Sequence, residues 1–359
     1  MRTYNFSAGP SMMPLEVLER AAAELTDWKD GMSVMEVSHR GKDFVATATD
    51  TRHKLRTLLE IPDDYEVLFL QGGAYGQFAA IPMNLAPRGA LVNLINTGQW
   101  SAKAYKEATT LGAQVRVIAD EKASNYTTVP APGSFTIDAD AAYVHYTPNE
   151  TIGGVEFSYV PDTGAIPLVG DFSSTILSRP LDIAAHGVIY AGTQKNMGPS
   201  GMAVVIVRRD LLDRAHPGIP SIWSYKSMAE TDSMLNTPPT FSIYMLGLVL
   251  DWIADNGGLD GMARRNQEKA KALYAAIDSS PFYSNPVAPD ARSWMNVPFL
   301  LADSSLDKVF VAEAEQAGLM NLAGHRSVGG LRASLYNAMP IEGVRALIDF
   351  MDSFATAHG

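Results

Sequence analysis

The stretch GVIYAGTQKNMGPSGMAVVIVRR, Gly187–Arg209, decides the architecture. It joins two apolar runs, GVIYAG and MAVVIVRR, through a short turn rich in Gly and Pro. Near-continuous apolarity suits strands covered on both faces. The short spacing suits a hairpin, so one strand of the sheet is expected to be antiparallel. A single lysine, Lys195, sits in the turn among Gly192, Gly198, Pro199 and Gly201. Glycines let another body approach closely, and a buried amine with a depressed pKa forms Schiff bases readily. The competing reading is a solvated lysine in a surface turn, which needs no such crowding.

Similar apolar runs recur upstream: EVLFL (Glu66–Leu70), ALVNLI (Ala90–Ile95), QVRVI (Gln114–Ile118), AAYVHY (Ala141–Tyr146) and AIPLVGD (Ala165–Asp171). Helical patterns lie between several of them, over Tyr75–Leu85 and Ser101–Leu111. The alternation predicts an α/β unit with a mostly parallel sheet. After about residue 250 the texture changes. A long amphipathic helix is expected over Leu259–Ile277, then a strand in MNVPFLL (Met295–Leu301), a helix over Leu306–Ala317, a strand in GLRASL (Gly330–Leu335) and a last helix over Ile341–Ala357. That mixture predicts a smaller α+β unit. Ser221–Thr240, rich in Ser, Thr, Met and Pro, is expected to be a long functional loop.

The composition sets limits on function. With 359 residues and a net charge of −11, the chain is poorly suited to nucleic acid or an anionic membrane. Any anion site must be built locally, against that charge. There is no cysteine, which excludes disulfides, thiolate metal sites and cysteine nucleophiles. The histidines show no metal-ligand spacing, so no metal is expected. The start MRTYNFSAGPSMMP lacks an apolar signal core, and runs such as MAVVIV fall far short of the roughly 18 residues of a membrane span. A cytoplasmic protein is expected.

Five features join Lys195. Asp171 ends the apolar run IPLVGD, where open α/β sheets bind ligands. It is either the cap of the turn that follows or a carboxylate that keeps a pyridine nitrogen protonated. LQGGAYGQF, Leu70–Phe78, places Gly72-Gly73 before a helix whose first amides suit a phosphate, or else it is a plain turn. NTGQWS, Asn96–Ser101, offers Trp100 as a stacking ring or as core packing. The pairs His39-Arg40 and His325-Arg326, each beside glycine, and Arg332 are the candidate anion clamps.

The segments NFSAGPSMMP, SVMEVSHRGKDF, FLQGGAYGQF, NTGQWS, HYTPNETIGGVEF, GDFSSTILSRPLD, YAGTQKNMGPSG, NTPPTFSIY and GGLRASLYNAM run the length of the chain. In that order they resemble the phosphoserine aminotransferase family, class-V aminotransferases of fold type I that depend on pyridoxal 5'-phosphate. The resemblance implies an aspartate-aminotransferase-like α/β fold. It has a mostly parallel seven-stranded sheet in a large domain (16–255), a small α+β domain (256–359) and an N-terminal segment (1–15) packed on the small domain. It further implies that Lys195 carries the cofactor and that Asp171 pairs with its ring nitrogen. Trp100 would stack on the ring, and Thr151 would bond it near its hydroxyl or phosphate. The amides of Ala74 and Tyr75, with Gln194, would hold the phosphate, and Asn236 and Thr237 would reach it from the other subunit of a homodimer. Some members carry arginine where this chain has Tyr75. Arg332 would clamp the substrate α-carboxylate. His39, Arg40, His325 and Arg326 would hold the distal anion, a phosphate or the side-chain carboxylate of glutamate. The implied reaction is amino transfer between O-phospho-L-serine and 2-oxoglutarate in serine biosynthesis, with phosphohydroxythreonine of the vitamin B6 route a second product in many members. The nearest rival is an alanine– or serine–glyoxylate aminotransferase of the same fold, which needs no paired His-Arg clamps.

Overall fold

In the computed structural model, which describes residues 2–359, the apolar runs are the strands Tyr65–Gln71, Leu91–Asn96, Gln114–Asp120, Val144–Tyr146, Leu168–Asp171, Val188–Gly192 and Met202–Arg208. They form one seven-stranded sheet. Met202–Arg208 lies antiparallel between Tyr65–Gln71 and Val188–Gly192, and the remaining neighbours pair in parallel. The hairpin read from the opening stretch is therefore present. The strand expected from Ala165 begins only at Leu168, because Pro167 has no N–H to give the ladder.

Strand side chains alternate between two cores, which explains the near-continuous apolarity. Val67 and Phe69 enter one core, and Leu68 and Leu70 the other. Val204 and Ile206 are likewise divided from Val205 and Val207. The helices Gly73–Leu85 and Gln99–Thr110 cover the second face through Phe78, Ile81, Ala104 and Ala108. On the first face lie Lys42–Leu58 and Thr240–Asp255. The latter is buried from Ser242 to Leu250 without a break, so it lacks the polar stripe by which a helix is read from sequence.

Ser221–Thr240 is not the open loop expected. It holds a 3-10 turn, Ser221–Trp223, and a helix, Tyr225–Glu230, capped by the Ser224 side chain on Ser227 N. Tyr225 and Met228 are buried in the core, and the Tyr225 hydroxyl donates to Gln77 Oε1 at 2.7 Å. The apolar spacing that makes this helix was masked by its Ser and Thr neighbours.

The C-terminal part has its own core and a three-stranded antiparallel sheet of Tyr283–Ser284, Asn296–Leu301 and Leu331–Ser334. The helix Gly258–Ser279 spans both cores, through Leu259 and Met262 at one end and Leu273 and Ile277 at the other. The chain start joins this part. Tyr4–Asn5 pairs in parallel with Leu319–Met320, and Phe6 is wholly buried. Five residues on, Ser11 N donates to Gln194 O at 2.9 Å and Ser11 Oγ to Lys195 O at 2.6 Å.

A buried polar chain also crosses between the two parts. Asn149 Nδ2 donates to Asn296 Oδ1 at 2.9 Å. Asn296 Nδ2 donates to Ser334 Oγ at 2.9 Å and Tyr336 Oη at 3.2 Å, and the Tyr336 hydroxyl donates to Ala8 O at 2.8 Å. Among the described residues, no helix is long and apolar enough to cross a membrane.

Candidate active site

At the C-terminal ends of the strands lies a cavity of about 550 Å³, where an open α/β sheet places its ligands. Lys195 projects into it and is 8% exposed. Its Nζ donates to Thr151 Oγ1 at 2.7 Å and lies 5.8 Å from the Trp100 ring centroid. Burial pushes the Lys195 amine down to about 8, Arg332 adds to the fall, and the Asp171 and Glu150 carboxylates oppose it. Gly9, at φ +144°, lies against the lysine stem; a Cβ there would be 3.5 Å from Lys195 Cγ. The cramped setting keeps water off the amine, so a reactive neutral fraction exists near neutral pH.

Asp171 is buried as well. Both donors that reach it, Ser173 N at 3.0 Å and Ser173 Oγ at 2.5 Å, fall on Oδ1. The Ser173 hydroxyl is itself tied down by Gly192 N at 3.0 Å. One oxygen of Asp171 thus closes the turn, and Oδ2 has no protein donor among the described residues. Burial raises the Asp171 carboxyl, and the Ser173 hydrogen bond and the Lys195 charge pull it back.

The helix Gly73–Leu85 opens on the cavity without a side-chain cap, behind Gly72 at φ +89°. Its first-turn amides are thus left for a ligand anion. Arg332 lines the cavity from the C-terminal sheet, and its buried Nε has no partner among the described residues. The same is true of Trp100 Nε1. A free carboxylate oxygen, a buried tuned amine, a flat indole and an uncapped helix start fit a planar, phosphorylated pyridine aldehyde.

Ala74, Tyr75, Trp100, Thr151, Asp171, Gln194, Lys195, His325 and Arg332 all line the cavity. His39, Arg40, Arg326, Asn236 and Thr237 do not. Arg326 is exposed beside His325, and Asn236 and Thr237 are exposed. Thr237 O accepts from Gln71 Nε2 at 2.8 Å, next to the Gly72 turn. His39 is buried with an unpartnered Nε2, and Arg40 is exposed.

Sequence reasoning missed Glu150, which is 1% exposed. Its Oε2 accepts from Trp100 N at 2.9 Å; its Oε1 accepts from Ser101 N at 2.9 Å and Ser101 Oγ at 2.7 Å. The carboxylate thus caps the helix Gln99–Thr110 from a separate strand and holds Trp100 by its backbone. Gly98 makes the approach feasible, since a Cβ there would come within 2.7 Å of Glu150 Cδ. The available signal was an acidic residue directly before Thr151 in PNETIGG. Lys103, Asn149 and Ser173 were missed too, and all three line the cavity.

The description "Aminotransferase class-V" matches residues 3–347. The curated phosphoserine aminotransferase of Pseudomonas aeruginosa PAO1 is 55% identical over 100% of this chain and 99% of its own. A solved phosphoserine aminotransferase from Bacillus circulans subsp. alkalophilus superposes with a TM-score of 0.98 at 50% identity, covering 100% of this chain and 99% of that one. A pyridoxal-phosphate-bound phosphoserine aminotransferase from Trichomonas vaginalis gives 0.93 at 45% identity, covering 98% and 100%.

Two predictions follow from the geometry. In Glu150→Gln the carboxamide has one acceptor, so its NH₂ must face either Trp100 N or Ser101 N. Leaving a buried donor unmet costs about 1–3 kcal/mol, and urea unfolding of the purified variant should show that loss. Parent-like stability would mean that the carboxylate cap contributes little. The second concerns the amine. Only deprotonated Nζ attacks a carbonyl, so the rate at which cofactor-free protein captures pyridoxal phosphate should rise with pH and reach half its maximum near 8, the value to which burial lowers Lys195. Stopped-flow absorbance measures it, and a midpoint near the ordinary lysine value would show that burial does not tune the amine.

Proposed function

The chain belongs to the class-V aminotransferase family, and from that premise we propose that it is a phosphoserine transaminase of L-serine biosynthesis. It moves the amino group of O-phospho-L-serine to 2-oxoglutarate, reversibly, giving 3-phosphooxypyruvate and L-glutamate. The observation that carries this reading is the convergence of Lys195, Asp171 and Arg332 on one cavity of an acidic chain. The full-length identity to phosphoserine aminotransferases favours it over the glyoxylate enzymes of the same fold.

The cofactor is pyridoxal 5'-phosphate; bound, it supplies a carbonyl carbon for the amine and a protonated ring that withdraws electrons from the substrate Cα. Lys195 Nζ would be its covalent anchor, with Thr151 Oγ1 fixing where that nitrogen sits. Asp171 Oδ2 would hold the proton on the ring nitrogen, and Ser173 keeps that oxygen aimed by occupying Oδ1. The uncapped amides at Ala74 and Tyr75, with Gln194, would take the phosphate, so the Tyr75 side chain is not asked for charge. Trp100 would cover the ring. As a free amine, Lys195 Nζ would take a proton from the substrate Cα and give one back, which its lowered pKa allows. Arg332, with no ion pair among the described residues, would hold the α-carboxylate bidentately.

We further read the working unit as a homodimer with shared sites, in the cytoplasm. Asn236 and Thr237 are exposed and outside their own chain's cavity. In a dimer they would reach the partner's cofactor phosphate. The same exchange accommodates His39 and Arg40, which also miss the cavity of their own chain. Together with His325 and Arg326 they would read the distal anion.

The test of function is a panel of phosphoserine, serine, alanine and phosphohydroxythreonine with 2-oxoglutarate. Phosphoserine should react best, and Lys195→Ala should abolish turnover while remaining folded. Equal turnover of alanine would overturn the assignment. The test of sharing is coexpression of Lys195→Ala chains with chains carrying Asn236→Ala and Thr237→Ala. Both lesions then fall in one site of the heterodimer and leave the other intact, so activity should return. Verified heterodimers without activity would rule the sharing out.

A further inference from the structure

We propose that Lys103 is a specificity-determining residue of the site, its ammonium reading the phosphate dianion of the phosphorylated amino acid. This inference rests on the transaminase reading above. Lys103 lies one helical turn beyond Trp100 in Gln99–Thr110 and lines the cavity. Its Nζ sits 3.9 Å from the Trp100 ring centroid and 5.9 Å from that of Tyr75. The indole face attracts the cation and holds a long, flexible side chain at the cavity instead of letting it extend into water.

The lysine has no ion-pair partner. The chain carries 39 acidic residues against 28 lysines and arginines, yet among the described residues no carboxylate lies within ion-pair distance of Lys103. Among the described residues Asp171 is the one acid lining the cavity, and its place is with the ring nitrogen. A free ammonium held at a cavity mouth in an acidic protein is matched to an incoming anion.

The other positive groups on the lining are already engaged. Lys195 does the chemistry, and Arg332 serves the α-carboxylate. His325 is biased toward its neutral form by burial and by the charges of Arg332, Arg326 and Lys103. Its Nδ1 lies 2.7 Å from Ser327 Oγ and 3.2 Å from Ser327 N, so that edge of the ring is engaged within its own loop. Lys103 and His325 line the same cavity, so the ammonium shares it with one member of the His-Arg pair expected to meet the distal anion. A phosphate carries about twice the charge of a carboxylate near neutral pH. Beside the Arg40 and Arg326 assigned to the distal anion, Lys103 adds a cavity-lining full charge to answer the difference.

The test follows the first half-reaction of cofactor-loaded protein by absorbance, with phosphoserine, glutamate and alanine, for the parent, Lys103→Met and Lys103→Arg. Methionine keeps an unbranched stem against Trp100 and removes the charge. The second-order rate constant for phosphoserine should fall about tenfold in Lys103→Met, as for one charge-assisted contact at a half-exposed position. Glutamate should lose less, alanine nothing, and Lys103→Arg should recover phosphoserine. Cofactor affinity, titrated separately on cofactor-free protein, should be unchanged. An equal loss for all three amino acids would make Lys103 a structural prop for Trp100 and overturn the proposal. Weakened cofactor affinity with unaltered selectivity would assign the charge to the cofactor phosphate and overturn it as well. A parent that does not prefer phosphoserine to alanine would sink the transaminase reading first, and this proposal with it.

Discussion

An amine attacks carbonyls near neutral pH only if something makes its charged form expensive, and here that is the removal of water from Lys195. Burial alone would leave a lone ammonium in the interior, which folding tolerates poorly. The structure compensates with carboxylates close enough to moderate the cost but placed for other duties. Asp171 stands at the end of the next strand, and Glu150 caps a helix. Each acid is itself pushed up by burial. Burial thus disfavours the charged form of all three groups, and strand register fixes where the Asp171 carboxyl sits, because Asp171 lies opposite Tyr190 in the parallel pair.

The site depends on separate parts of the chain being held in fixed relation. Arg332 belongs to a different sheet with a different core, yet it must converge with Lys195. The amide chain from Asn149 through Asn296 to Ser334 and Tyr336 provides a fixed route between them. Its direction is set at every link. Both hydrogens of Asn149 Nδ2 and both of Asn296 Nδ2 are spent, and the Tyr336 hydroxyl donates onward to Ala8. With both amide groups' hydrogens placed, the buried network specifies one arrangement more sharply than apolar contact does.

Much of this was legible before any coordinates. The runs GVIYAG and MAVVIVRR announce their antiparallel pairing because strand composition and turn length are local properties. Lys195 and Asp171 are legible because turn chemistry and strand ends leave marks within a few residues. What was not legible is of two kinds. The helix Thr240–Asp255 is buried on nearly all sides, so no periodicity betrays it, and Tyr225–Glu230 was hidden by its polar neighbours. Glu150 acts on residues fifty positions away, and Lys103 gains meaning only when Trp100 and His325 are brought round it. Such roles arise from three-dimensional proximity, which spacing in one dimension does not encode.

The N-terminal segment sets an order on assembly. Residues 4–6 can settle only against the pairing strand near 319 and the core around it, and Ser11 then closes on the carbonyls of Gln194 and Lys195. A chain made from its start to its end must therefore leave its first dozen residues waiting until almost all the others have emerged from the ribosome. Pairing across so long a sequence separation is among the slower kinds of contact to close. The turn that holds the lysine is thus backed by a segment whose own seat lies near residue 319, and a chain truncated before that strand lacks the partner that docks its start.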